Sequence, residues 1–412
     1  MTRRGTWTAA AAASVVLGIS FFALISWLEQ GQLSDVPLYV HWAGLVRHGA
    51  VPYRDFSFDY PPAALPPMLV AEYLPWSYAT SFAVVMGVCG AACIAAAGSA
   101  LRGVDAGAER TWAVLLAMGV SPLVLGALFD TRYDLWPTLL AVGGLAAIVW
   151  ERPVVGGGLL GLGFAAKLWP AVLLPIAAIF LWRRRGQTAA FTVVAAFLVV
   201  AAACFLPFAA LGQHGLRAMF SDQLDRPLQV ESLGSAVLMA AQHLGMRPLQ
   251  TVDSHGGQAL SGRGAGLAAD LSTVLEIATV FAVWIVFALR RRPSGETVLL
   301  AAGAAVSVLV AFDRVLSPQY LIWLVPIVFL VRGRRGILAG GLVLLAFGLT
   351  QTWFPHHYWS LALGHAAPWS WYLLARDLAL VAMAAVLLLE LSLERDSAAG
   401  TAGWPAVPRA AA

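Results

Sequence analysis

Long, almost uncharged apolar runs return along nearly the whole chain, as in "TAAFTVVAAFLVVAAACFLPFAAL" over residues 188–211. A run of about 20 residues crosses the roughly 30 Å of a bilayer's hydrocarbon as helix, and only helices or closed barrels keep their backbone polar groups paired there. With 60% hydrophobic and 12% charged residues and a mean hydropathy of +0.76, the chain has too little polar surface for a water-soluble fold. The short alternating segments of a membrane barrel are missing. The expected class is an all-α polytopic membrane protein.

Run length and periodicity place about twelve helices, within a range of roughly 10–13, near residues 7–28, 79–101, 111–129, 134–150, 154–166, 168–182, 188–211, 268–290, 297–312, 318–331, 336–353 and 370–391. The fifth and sixth are short and read equally as one hairpin that does not cross fully. The basic start "MTRRGTW" also suits a cleaved signal peptide, but the run after it is long and shows no clear cleavage site, so a retained first helix is expected. Residues 1–394 then form one transmembrane domain with a first external loop at 29–78 and a large one at 212–267. The small, Ala- and Pro-rich tail 395–412 is expected to be disordered and cytoplasmic.

Cytoplasmic loops collect Lys and Arg. With the N-terminus inside, that side receives Arg3, Arg4, Arg102, Arg110, Arg152, the triplets at 183–185 and 290–292, "RGRR" at 332–335 and Arg395. The opposite face receives Asp35, Asp55, Asp59, Asp130, Asp134, His214, Asp222, Asp225, Asp313, His356, His357 and His365. Polar chemistry is therefore expected on the extracytoplasmic side of a plasma membrane. A net charge of +4, carried in short loops, leaves no nucleic-acid surface. Cys89, Cys93 and Cys204 lie in apolar runs and build no disulfide framework. No motif has zinc spacing and no Walker loop is present, so neither a protein-only metal site nor a nucleotide cofactor is expected.

Six stretches carry the chemistry. In "VPLYVHWAGLVRHG", Leu38, Trp42, Leu45 and Val46 share one helical face, which suits a short interfacial helix opened by Ser34, Asp35 and Pro37. Asp35 either caps that helix or does chemistry. "GAVPYRDFSFDYPP" follows as a turn-rich loop holding Asp55 and Asp59 at the bilayer surface, where a carboxylate can act as general base toward a lipid-borne hydroxyl. "FDTRYDLWP" sets Asp130, Arg132 and Asp134 in a tight turn, either paired with one another or contacting an anion or sugar. Lys167, the single lysine, sits at a helix break in "GFAAKLWP", where it either snorkels or grips phosphate. "FDRVLSPQYLIWLVP" brings Asp313, Arg314, Gln319 and Tyr320 to the mouth of another span, and "FPHHYW" adds His356 and His357 among aromatics. Asp313 and Arg314 also suit mutual neutralisation.

The order of an acid opening the first loop, then "PLYVHWAGLVRHGAVPYRDFSFDYPP", "RYDLWP", "GLLGLGFAAKLWPAVLLP" and "LSPQYLIWLVP" resembles glycosyltransferase family 87, over roughly residues 30–330. The resemblance implies a GT-C-like bundle with interfacial helices in its external loops, and transfer of mannose from polyprenyl-phosphate mannose, with inversion, to a glycolipid or envelope glycan such as a lipoglycan. By resemblance the catalytic aspartate is Asp35, with Asp55 and Asp59 as rivals in the same loop. Arg132, Lys167, Arg314 and His357 are the implied donor-phosphate contacts. Trp42, Tyr53, Tyr60, Asp134, Gln319 and Tyr320 are the implied sugar or acceptor contacts. A transporter or flippase of a lipid-linked sugar is the alternative, weakened by the absence of a fixed-period repeat or inverted halves. The 212–267 loop matches nothing in the resemblance.

Overall fold

The computed structural model describes residues 1–27, 33–246, 248–254, 256–262 and 264–394. The tail 395–412, expected to be disordered, lies outside the described residues, as does Arg395. Eight helices among the described residues are long and apolar enough to cross a membrane: Arg3–Ala23, Tyr78–Gly103, Ala108–Leu125, Gln187–Leu211, Ala265–Ala288, Gly295–Phe312, Gly333–Gln351 and Ala367–Leu393. The chain is an all-α, multi-pass membrane protein. At the other four expected positions stand shorter helices, Leu135–Val149, Pro153–Ala166, Leu174–Arg185 and Leu321–Val328. The last two are entered through 3-10 turns, Trp169–Leu173 and Pro318–Tyr320, each opened by a proline whose missing N–H costs nothing at a first turn.

Local chemistry explains several boundaries. Ser77 Oγ accepts the Thr80 N–H at 3.3 Å, and Ser294 and Thr297 form a reciprocal capping box at the start of Gly295–Phe312. The glycine-rich "GGGLLGLG" at 156–163 lets Pro153–Ala166 lie directly on Gln187–Leu211. A Cβ at Gly157 would stand 2.1 Å from the Val193 carbonyl oxygen, and one at Gly161 2.4 Å from that of Phe197. Without a hydrophobic driving force inside lipid, such close backbone approach supplies the packing.

The arginine-bearing turns meet at one end of the bundle. Arg110 binds Glu296 and the Leu330 carbonyl, Arg184 binds Glu151 at 2.8 Å, Arg335 binds Glu390, and Arg290 caps the Leu391 carbonyl. The long loops gather at the opposite end. There lie the helices Val36–Arg47, Gln213–Leu224, Leu233–His243 and Tyr358–Ala362 and an antiparallel hairpin, Gln250–Ser254 and Gly257–Ser261. The helix expected in the first loop is present; of its expected face Trp42 is buried and Val46 packs on the core, but Leu38 is exposed and Tyr39 and Ala43 are buried in its place. Aromatic packing sets that rotation: Tyr39 lies against Phe82 and Tyr133, with ring centres 5.1 and 6.1 Å away.

Candidate active site

A cavity of about 750 Å³ opens among these loops. Its walls come from the first loop, the 128–136 turn, the break at Lys167, the 223–231 segment, the hairpin, the start of Pro318–Tyr320 and one face of Ala265–Ala288.

Asp35 stands at the N-cap position of Val36–Arg47, yet its carboxylate takes no N–H of that helix. Ser34 Oγ accepts from Val36 N at 3.1 Å instead. The Asp35 carboxylate is ion-paired to Arg132 and accepts the Tyr39 hydroxyl at 3.3 Å, at the cavity wall. Arg132 is 7% exposed and also donates to the Leu33 carbonyl at 3.3 Å, so it fixes both the acid and the chain entering it. The capping role considered for Asp35 is therefore not the one its side chain takes.

Lys167 terminates Pro153–Ala166 in an extended conformation, which turns its side chain into the cavity wall. Its ammonium lies 2.6 Å from Asp134 Oδ1 and about equally far from three aromatic rings, 5.0 Å from Tyr133, 4.9 Å from Tyr320 and 5.0 Å from Trp323. Burial lowers its pKa, with Asp134 opposing. Asp134 itself does not line the cavity. It is 1% exposed behind Lys167 and accepts the Trp323 indole N–H at 2.6 Å, so its place is that of a buried counter-ion rather than a sugar contact.

Arg314, Asp59, Tyr60, Gln319 and Tyr320 all line the cavity. Arg314 donates to the Leu224 carbonyl, and Asp313 accepts the Val315 N–H at 2.7 Å, so the two neighbours do not close on each other as the sequence allowed. Burial raises the Asp313 carboxyl to about 6.

Four sequence candidates fall elsewhere. Asp55 is exposed and paired with Arg54 at 2.7 Å; that hydrogen bond, then one from Val51 N–H, holds its carboxyl down to about 2. Trp42 and Tyr53 are core residues of the first loop. The Trp42 indole donates to the Ser57 carbonyl at 3.1 Å, the Tyr53 hydroxyl to the Tyr60 carbonyl at 2.5 Å, and both rings pack on Phe58. Large aromatic faces in a short loop are consumed by making that loop rigid. His357 stacks on Trp369 at 4.0 Å and 8°, away from the cavity lining.

The cavity also holds residues that sequence reading passed over: Gln223, Arg226, Gln229, Glu231, Glu276 and Trp359. For Glu276 a signal existed. It is one of two acids, with Asp270, inside the apolar run of Ala265–Ala288, and an ionisable residue in a span is a functional candidate by default. The others sit in the 212–267 loop or after the last external turn, where no periodicity marks an inward face.

One flank of the cavity is apolar, lined by Ala171, Val172, Ile277, Val280, Phe281 and Trp284. Ile277 and Phe281 are 53% and 52% exposed on a helix buried over only 22% of its span, so this flank opens sideways toward lipid. Among the described residues no group of three or more His, Cys, Asp or Glu gathers as metal ligands would. The arrangement joins a carboxylate, several cations and a lipid-facing apolar slot in one space, suited to an anionic lipid that carries a reacting group.

A search of curated proteins returned no match. A family profile matches residues 58–318, which takes in Asp59, Arg132, Lys167 and Arg314 and leaves Asp35 upstream of the matched segment. That segment is more than half of the chain, and the protein belongs to glycosyltransferase family 87, a family of membrane glycosyltransferases.

Proposed function

We propose that this glycosyltransferase moves mannose from polyprenyl-phosphate mannose to a lipid-linked or cell-envelope glycan acceptor on the outer face of the plasma membrane, inverting the anomeric centre, with Asp35 as general base. The observation that carries the reading is the cavity itself. Asp35, locked to Arg132, shares it with Lys167, Arg226 and Arg314, and its apolar flank opens between spans.

In this scheme Asp35 takes the proton of the acceptor hydroxyl as that oxygen attacks C1 from the side opposite the phosphate. The bond from C1 to the phosphate oxygen breaks, and its electron pair leaves on the lipid phosphate. Charge grows on that phosphate in the transition state, and preset cations in a site of low dielectric stabilise it more than they stabilise the ground state. Lys167 and Arg314 are the proposed phosphate grips. Arg132 orients Asp35 and adds positive charge beside it. The polyprenyl chain would lie along Ile277, Val280 and Phe281, in contact with lipid. Asp59 and Tyr60 on the opposite wall are proposed sugar contacts, with Gln319 and Tyr320 closing the site near Lys167.

The test supplies purified protein with polyprenyl-phosphate mannose and an acceptor extract and follows new glycosidic bonds. Wild type should form product in detergent, where no compartments remain, and Asp35→Asn should not. Wild-type rates in Asp35→Asn would remove Asp35 as base, and wild-type protein that forms no bond with any polyprenyl-phosphate sugar would remove the donor assignment.

A further inference from the structure

The wall facing the phosphate grips is built from the 228–232 segment, and it is held rigidly. Gln229 N–H donates to the Arg314 carbonyl at 2.9 Å, Val230 N–H to the Gln258 carbonyl at 3.0 Å, and the hydroxyls of Ser232 and Ser235 both donate to the Gln229 carbonyl, at 2.8 and 2.7 Å. From the far side the fully buried Arg376 donates to the Glu231 carbonyl at 2.6 Å. The backbone of this segment is thus hydrogen-bonded from both sides. Its side chains are not.

Glu231 is 5% exposed, and its Oε2 is buried with no hydrogen-bond partner. Gln229 Oε1 is likewise buried and unpartnered. Both residues line the cavity, as do Tyr358 and the half-exposed ring of Trp359. Arg132, the partner of Asp35, lies within electrostatic reach of both Glu231 and Tyr358. A buried acceptor left without a donor costs about 1–3 kcal/mol, so two of them on one rigid wall call for a ligand that brings donors. A lipid chain brings none, and neither does an ionised phosphate, whose oxygens only accept. A ring bearing several hydroxyls both donates to such oxygens and lays an apolar face on an indole.

We infer that Glu231 and Gln229, with Tyr358 and Trp359, form the acceptor subsite, and that the acceptor group seated there is a polyhydroxylated ring, a sugar or a cyclitol. This rests on the transfer reaction proposed above and adds the residues that seat its acceptor. It also gives the 212–267 loop a role: the loop supplies the acceptor wall, while the segments around Arg132, Lys167 and Arg314 supply the donor wall. Glu231 and Gln229 hold a hydroxyl-rich ring so that one hydroxyl reaches Asp35, and they take no part in bond making.

The experiment measures equilibrium binding to the full chain in lipid nanodiscs free of sugar detergents. The ring probes are radiolabelled methyl α-mannopyranoside, methyl α-glucopyranoside and myo-inositol; farnesyl phosphate is the anion probe. In Glu231→Gln and Gln229→Leu the best-bound ring probe should lose at least fivefold in affinity, while farnesyl phosphate stays within twofold and so reports an intact fold. Which ring probe binds best separates sugar from cyclitol. The inference is overturned if no ring probe binds wild type, or if neither variant shows loss confined to the ring probe. Should the ring probes behave as expected while farnesyl phosphate fails to bind wild type, the donor assignment falls and the subsite stands.

Discussion

At the arginine-bearing end of the bundle, several guanidinium groups close on a carboxylate or a carbonyl of a neighbouring segment: Arg110 on Glu296 and Leu330, Arg184 on Glu151, Arg335 on Glu390. At the cavity end the charges are gathered around a shared space. Arg132, Lys167, Arg226 and Arg314 line it together with Asp35, Asp59, Glu231, Glu276 and Asp313. The first arrangement spends charge on joining helices, where pairs are partly wet and each contributes little. The second keeps buried charge and unpartnered oxygens in place at a standing cost, which a fold carries when a ligand or a reaction uses them.

The sharpest break between the two ends should come from Asp35→Asn. Loss of a general base costs on the order of 10²–10⁴ in rate, so kcat should fall by that factor while folding, followed by size exclusion, is unchanged. Asp55→Asn, outside the cavity, should leave kcat within twofold. Equal losses in the two would erase the distinction drawn inside the first loop.

Next comes Lys167→Met, which removes a proposed phosphate grip and strands the buried Asp134 carboxylate. Leaving one partner of a buried pair uncompensated costs roughly 3–5 kcal/mol, so both donor binding and apparent Tm should drop. The double variant Lys167→Met with Asp134→Asn should recover most of the Tm and none of the donor binding. Recovery of both would make Lys167 a structural ion only.

At the other end, Arg110→Ala should destabilise by roughly 1–3 kcal/mol, because Glu296 and the Leu330 carbonyl lose their donor. Transfer per folded molecule should stay within twofold. A large loss of rate at unchanged Tm would show that the arginine end takes part in catalysis.

The last effect depends on pH and concerns Asp130, 1% exposed with neither carboxylate oxygen partnered; burial raises its carboxyl from 3.8 to about 7. The folded state therefore binds a proton more tightly than the unfolded chain does. The stability this confers is full below about pH 4 and is lost as pH rises to about 7, by at most roughly 1.4 kcal/mol per pH unit. Asp130→Asn cannot ionise, so its apparent Tm should gain on wild type between pH 4 and 7 and hold a constant lead above. Parallel curves would mean that Asp130 finds a partner in the membrane-embedded protein.

Much of this was legible beforehand where a physical constraint acts locally. Bilayer thickness fixes the length of an apolar run, and eight of the expected spans carry helices of that length. The helix after Asp35 and the break at Lys167 follow from proline and capping chemistry within a few residues. Legibility failed where the outcome depended on what lies opposite. Trp42, Tyr53 and Tyr60 look alike on the chain, yet only Tyr60 reaches the cavity; the other two are drawn into packing with Phe58. Asp134 and Arg132 sit two residues apart, and one became a buried counter-ion while the other faces the acid. Glu231 and Gln229 lie in a loop with no periodic face, so nothing in their neighbourhood marked them.

The order of residues by itself determined that the chain crosses a membrane many times, that its dense arginine clusters sit in short loops between spans, and which short stretches hold ionisable groups. Those follow from the free energy of moving single groups between water and hydrocarbon, which each segment meets alone. Only the tertiary structure decided which acid meets which cation, which aromatics are spent on the core, and that the unplaced loop furnishes a wall of the cavity. Such pairings join residues far apart in the chain, as Asp35 with Arg132 and Asp134 with Trp323, and no local free energy specifies them until the helices have packed.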